Sequence, residues 1–197
     1  MNNRLLIGFT LITIITGINV YNNQENYSGT TEFNKYGLSF RYPTNAMTWE
    51  TGHPDYSSPA SDFSGRFSAT TVSGEEYIEQ VLVIWTVIRD FQTNDTLEDA
   101  IWDVLDDISL DPNIILENVS ETKTLTIDGY ELIYIYFEGT QIGGRFNTIF
   151  GIMIIPWESL RSNRGYILGY VGSEGVFSEA EIEEQYLDFL DSFKPVS

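Results

Sequence analysis

The chain contains no cysteine. Disulfides, thiolate nucleophiles, zinc–sulfur sites and iron–sulfur clusters are thereby excluded. So is thioether lipidation at a bacterial-type lipobox, which needs a cysteine behind the apolar segment. Histidine is almost as scarce: His53 is the only one, so no multi-histidine metal site can form within one chain. Positive charge is short as well. Ten Lys and Arg stand against 29 Asp and Glu, for a formal net charge of −19. Such a surface repels phosphate backbones, which makes nucleic acid a poor partner, and anionic headgroups are disfavoured for the same reason. Metal cations and basic protein surfaces are the partners that the charge allows. The plainer effect of the acidity is to keep the protein soluble.

Apolar and aromatic residues are plentiful. The 197 residues are 42% hydrophobic and include 12 Tyr, 12 Phe and 4 Trp. That supports a full core in one domain of ordinary size, with an N-terminal extension. Aromatic and β-branched richness favours strands.

The extension, residues 1–20, has one positive charge, Arg4, followed by an apolar run from Leu5 to Val20. A basic n-region ahead of an h-region is the order of a secretory signal. The run is shorter than the roughly 20 residues of a spanning helix, and no A-x-A cleavage site follows it. It reads as a signal peptide or as a retained signal anchor. A core helix would carry a polar face, and this segment shows none before Asn19. Residues 21–33 read as a polar linker and 34–197 as the globular domain. Sequons at Asn26, Asn94 and Asn118 agree with export but are common by chance in an Asn-rich chain.

Strands are expected over Leu38–Tyr42, closed by Pro43, and over Met47–Glu50 and Arg66–Val72. The stretch EEYIEQVLVIWTVIRDF is the longest strand candidate. Val81, Val83, Trp85 and Val87 alternate with Leu82, Ile84 and Ile88, so both faces are apolar and both must be covered. The period then changes. Leu97, Ala100, Ile101, Val104, Leu105 and Ile108 form a helical stripe, with Thr96 and Asp99 spaced as a capping box. ILENVSETKTLTIDGYELIYIYFEGT reads as two strands joined at Asp128-Gly129. RFNTIFGIMIIPW and RGYILGYVG read as two more. A last helix starts at the Ser178–Glu181 capping box and buries Ile182, Tyr186, Phe189, Leu190 and Phe193. The expected class is α+β: an α/β/α sandwich with a central, mainly antiparallel sheet and helices on both faces.

The segment YGLSFRYP, Tyr36–Pro43, resembles the opening of the PsbP-like family, named for an extrinsic subunit of the oxygen-evolving complex of photosystem II. Members commonly open Tyr-Gly-Phe-Ser-ϕ-x-Tyr-Pro-x-x-Trp. Tyr36, Gly37, Ser39, Tyr42 and Pro43 match, Leu38 stands in for Phe, and Trp49 is the nearest candidate for the displaced Trp. The family tends to close on a helix ending Ser-Phe-Lys, as Ser192, Phe193 and Lys194 do. The same fold occurs in a Ran-binding nuclear-transport factor and in exported lipoproteins of unknown role. The resemblance therefore implies a binding or accessory protein more than an enzyme.

Candidate sites are few. His53, Asp55 and Asp62 share a Gly/Pro/Ser-rich loop over 51–65 and could bind a divalent cation; an exposed loop histidine beside ordinary Asx turns is the plainer reading. Asp95, Glu98, Asp99, Asp103, Asp106, Asp107 and Asp111 lack EF-hand spacing, and Asp99, Asp103, Asp106 and Asp107 fall on the solvent side of their helix. Glu174, Glu179, Glu181, Glu183 and Glu184 crowd a helix start, where the dipole favours acids. Gly143-Gly144-Arg145 precedes a strand and reads as a hairpin turn, since a phosphate loop would lead into a helix. No Gly-x-Ser-x-Gly elbow occurs. Trp85, Tyr134, Tyr136, Tyr166 and Tyr170 either line a ligand groove or fill the core.

These features favour a non-enzymatic accessory protein, secreted or anchored to the outer face of the cell membrane. It would engage a protein partner and touch a membrane only through its N-terminal segment. The alternative is a divalent-metal or small-ligand module built on the His53 loop. No cofactor other than a divalent cation is expected.

Overall fold

A computed structural model describes residues 29–52, 64–73, 76–88, 96–141, 144–157 and 162–195. Two strands, β1 (Thr30–Lys35) and β2 (Leu38–Pro43), form a hairpin of their own. The main sheet is built from β3 (Met47–Gly52), β4 (Gly65–Ser73), β5 (Glu76–Ile88), β6 (Ile114–Glu117), β7 (Lys123–Ile127), β8 (Tyr130–Gln141), β9 (Gly144–Trp157) and β10 (Ser162–Ser173). Its order is β3-β4-β5-β10-β9-β8-β6, with β7 also paired to β8, and every pairing is antiparallel. Helices α1 (Leu97–Ser109) and α2 (Glu179–Ser192) complete the described elements. The fold is α+β.

The long strands are loaded on both faces. In β5, Val81, Val83 and Trp85 belong to one buried cluster, and Leu82 and Ile84 to another. In β8, Tyr134 and Tyr136 join the first, while Ile133, Ile135 and Phe137 join the second. Side chains alternate across a strand, so the two clusters lie on opposite sides of the sheet. Ile182, Tyr186, Phe189 and Leu190 of α2 pack in the first cluster. Ile101, Val104, Leu105 and Ile108 of α1 pack in the second. Each helix thus buries the stripe that its spacing dictates.

Both capping boxes form. The Thr96 and Ser178 hydroxyls accept from the amides of Asp99 and Glu181, whose carboxylates accept in return from the amides of Thr96 and Ser178. Helix α2 lies close to the sheet: a Cβ on Gly151 would stand 2.5 Å from the Tyr186 hydroxyl, which donates to the Leu168 carbonyl at 3.1 Å.

Two boundaries differ from the sequence reading. The polar linker expected over 21–33 gives way to strand at Thr30, and Phe33 is a core residue stacked on Phe40 at 4.6 Å. The alternation that marks a half-buried strand is masked there by Thr, Glu and Asn on its solvent side. Residues 1–28, including the signal-like run, lie outside the described residues. The stretch expected to form two strands joined at Asp128-Gly129 contains a third, β6, beside the other end of β8. The hairpin itself forms, with both turn residues at positive φ, 48° and 84°, as a type I′ turn requires.

Ile108 and Ile182 are fully buried in different clusters. Ile108→Val and Ile182→Val should each cost about 0.5–1.5 kcal/mol. The double variant should be additive within about 0.5 kcal/mol in urea denaturation. Stronger coupling would show one shared core.

Candidate functional site

The described residues place no expected ligand together around a pocket. His53, Asp55 and Asp62 lie outside them. Among the described residues, no group of three or more His, Cys, Asp or Glu is placed to hold a metal ion. Trp85, Tyr134, Tyr136, Tyr166 and Tyr170 are all buried in the first cluster. They are core residues. Gly144 pairs with Gln141 across the β8–β9 hairpin, as expected for a turn.

At one end of the first cluster, apolar rows give way to tyrosine–carboxylate pairs. Cross-strand register sets Glu79, Gly172, Asn147 and Glu138 side by side on β5, β10, β9 and β8. The Tyr170 hydroxyl donates to Glu79, and the Tyr136 hydroxyl donates to Glu138 at 3.1 Å. Asn118 donates to the other Glu138 oxygen, and the Asn147 amide donates to the Phe177 carbonyl at 2.8 Å. Further along, Tyr134 donates to Glu183 of α2, which also pairs with Lys123.

Burial first, and then the adjacent carboxylate, raise the Tyr170, Tyr136 and Tyr134 phenols above the ordinary range. A phenol so held is a neutral hydrogen-bond donor at physiological pH. These pairs therefore fasten carboxylates to the rim of the sheet and tie α2 down.

The acidic surface is arranged in two ways. Around α2 it is partly neutralised: Lys123 meets Glu183 at 2.5 Å, and Arg145 lies between Glu117 and Glu174 at 2.7 and 3.1 Å. The Ser178 amide and hydroxyl also hold the Glu181 carboxyl below its usual range. On α1, Glu98, Asp99, Asp103 and Asp106 are exposed, and Asp107 and Asp111 are half-buried. The helix has no basic residue in its last turn. Asp95 lies outside the described residues.

Two tryptophans outside the candidate sites are exposed, Trp49 of the PsbP-like motif and Trp102. Trp49, on edge strand β3, carries the Arg66 guanidinium over its ring at 3.8 Å. Trp102 projects from α1 at 41% exposure. Its position opposite the apolar stripe of Leu97, Ile101, Val104, Leu105 and Ile108 is a signal that the helical period contains.

No protein-family model matches the chain, and no curated protein matches it by sequence. Solved structures do match. The solution structure of cyanobacterial PsbP (CyanoP) from Synechocystis sp. PCC 6803 superposes with a TM-score of 0.55 at 12% identity, covering 89% of this chain and 97% of that one. The fold is PsbP-like. LpqN of Mycobacterium tuberculosis, described as involved in cell envelope biogenesis, superposes with a TM-score of 0.50 at 10% identity. It covers 85% of this chain and 91% of that one.

The PsbP-like motifs meet in space. Tyr36 and Gly37 form the left-handed turn of the first hairpin, with φ of 54° and 70°. Ser39 and Lys194 exchange backbone hydrogen bonds at 3.2 and 2.7 Å. The Arg41 amide donates to the Ser192 hydroxyl at 2.9 Å, and Phe193 stacks on Phe40 at 6.3 Å.

Because burial raises the tyrosine phenols, their share of stability is fully present below the ordinary phenol pKa of about 10 and is lost as pH rises above it. Urea midpoints should therefore fall above about pH 10. Tyr170→Phe should make that fall shallower. An unchanged fall would mean that Tyr170 titrates like an exposed phenol.

Proposed function

We propose that this protein is an exported, non-enzymatic accessory protein whose PsbP-like domain engages a protein partner. The observation that carries the reading is the PsbP-like fold over 89% of the chain. We read its layering as an α/β/α sandwich, with α1 and α2 on opposite faces of the sheet. Two further observations support the function. Residues 1–20 have the charge and hydropathy order of an export signal. The second fold neighbour carries a cell-envelope role in its own description. Among the described residues no helix is long and apolar enough to cross a membrane; residues 1–20 are the tether we propose if the segment is retained.

An accessory domain of this kind works by presenting a rigid surface. The antiparallel sheet with its two packed clusters supplies the rigidity. Among the described residues, the edge strand β3 and the outer face of α1 supply exposed surface.

Residues 1–33 fused to a reporter that folds only outside the cytoplasm should give activity, and Leu11→Arg within the apolar run should abolish it. Equal activity from the two fusions would remove the export half of the proposal. Turnover of any substrate class by the full chain would remove the accessory half.

A further inference from the structure

The outer face of α1 carries an apolar anchor flanked by carboxylates. Residues four apart on a helix stack about 6 Å apart along one ridge. Glu98, Trp102, Asp106 and the C-cap Leu110 form such a ridge. Glu98 and Asp106 thus flank Trp102 one turn before and one turn after it, while the Asp99 carboxylate on the adjoining ridge is held by the Thr96 cap. Trp102 is 41% exposed and Leu110 77%. The buried stripe of the same helix is already satisfied by the second cluster, and neither Trp102 nor Leu110 belongs to either cluster. The helix, LEDAIWDVLDDIS, contains five acids and no base.

We infer that this face is a docking surface for a basic segment of a protein partner, one that bears Lys or Arg beside an apolar residue. The inference rests on the accessory-binding reading above and names the surface and the partner's chemistry. Charge complementarity decides the occupant. A cation over the indole face gains from the ring quadrupole, and flanking carboxylates strengthen its hold. Among the described residues this contact forms where Arg66 lies over Trp49 at 3.8 Å. Trp102 has the same ring, with Glu98 and Asp106 one turn to either side, and no Lys or Arg among the described residues stacks on it. A second copy of the chain is a poor occupant, because each copy carries −19 charges. An exposed tryptophan ringed by polar groups also matches the composition of interface hot spots.

The test uses the isotope-labelled full chain and two synthetic peptides of equal length. One alternates Leu with Lys and Arg; the other replaces every base with Glu. The basic peptide should shift the amides of residues 97–110 and the Trp102 indole N–H in NMR spectra, and the acidic peptide should not. Trp102→Ala should weaken binding about tenfold, as should the pair Glu98→Lys and Asp106→Lys. The matched charge reversal on α2, Glu184→Lys with Asp188→Lys, should weaken it less than about threefold, as expected for loss of long-range attraction alone. Equal loss from the two reversals, or shifts spread over every acidic face, would overturn the inference in favour of diffuse counter-charge binding. Absence of any shift would overturn it outright. Binding localised elsewhere would sink the α1 surface and leave the accessory reading standing. Catalytic turnover would do the reverse.

Discussion

The structure depends on one constraint: its long strands are greasy on both sides. β5, β8, β9 and β10 place alternate apolar side chains in two separate clusters. Neither face can be left to water, because each buried aliphatic or aromatic side chain is worth about 1.5–3 kcal/mol of transfer free energy. α1 packs in the second cluster and α2 in the first, which the β1–β2 hairpin extends. Polar chemistry is displaced to the ends of the strands. There the tyrosines bridge the two regimes, with ring in the core and hydroxyl on a carboxylate at the rim.

The chain's beginning and end meet at one point of this arrangement. The hairpin turn at Tyr36-Gly37 aims Phe40 into the first cluster, and Phe193 arrives beside it from α2. Ser39 pairs with Lys194 through the backbone, and Ser192 accepts from the Arg41 amide. The residues that carry the likeness to the PsbP-like family are therefore the ones that close the first cluster. A turn that needs positive φ and a buried aromatic pair tolerate few substitutes, whereas most of an exposed surface can change freely.

Charge sets how that surface behaves. The bases are few, and several are already engaged: Lys35 with Glu50, Lys123 with Glu183, Arg145 with two glutamates, and Arg66 on Trp49. Exposed pairs of this kind contribute little stability, about 0–1 kcal/mol each. Their larger effect is to remove positive charge from the remainder. Both helices are acidic and neither carries a base of its own.

The sequence by itself determined which residues are helix, strand and turn wherever local periodicity was strong. The stripes of α1 and α2, both capping boxes, the Asp128-Gly129 turn and the alternation in β5 and β8 could all be read without coordinates. A helix or strand that buries one set of residues must repeat that set at its own period. β1 and β6 escaped because they are short and lie at margins. Their pairing comes from partners, Leu38–Pro43 in one case and Glu138–Gln141 in the other, and not from their own pattern. The site was less legible than the fold. That the tyrosines are core, that Glu79 and Glu138 hold their hydroxyls, and that Trp102 stands free among acids depend on residues far apart in sequence. Only the register of strands and the seating of helices brings them together or leaves them exposed.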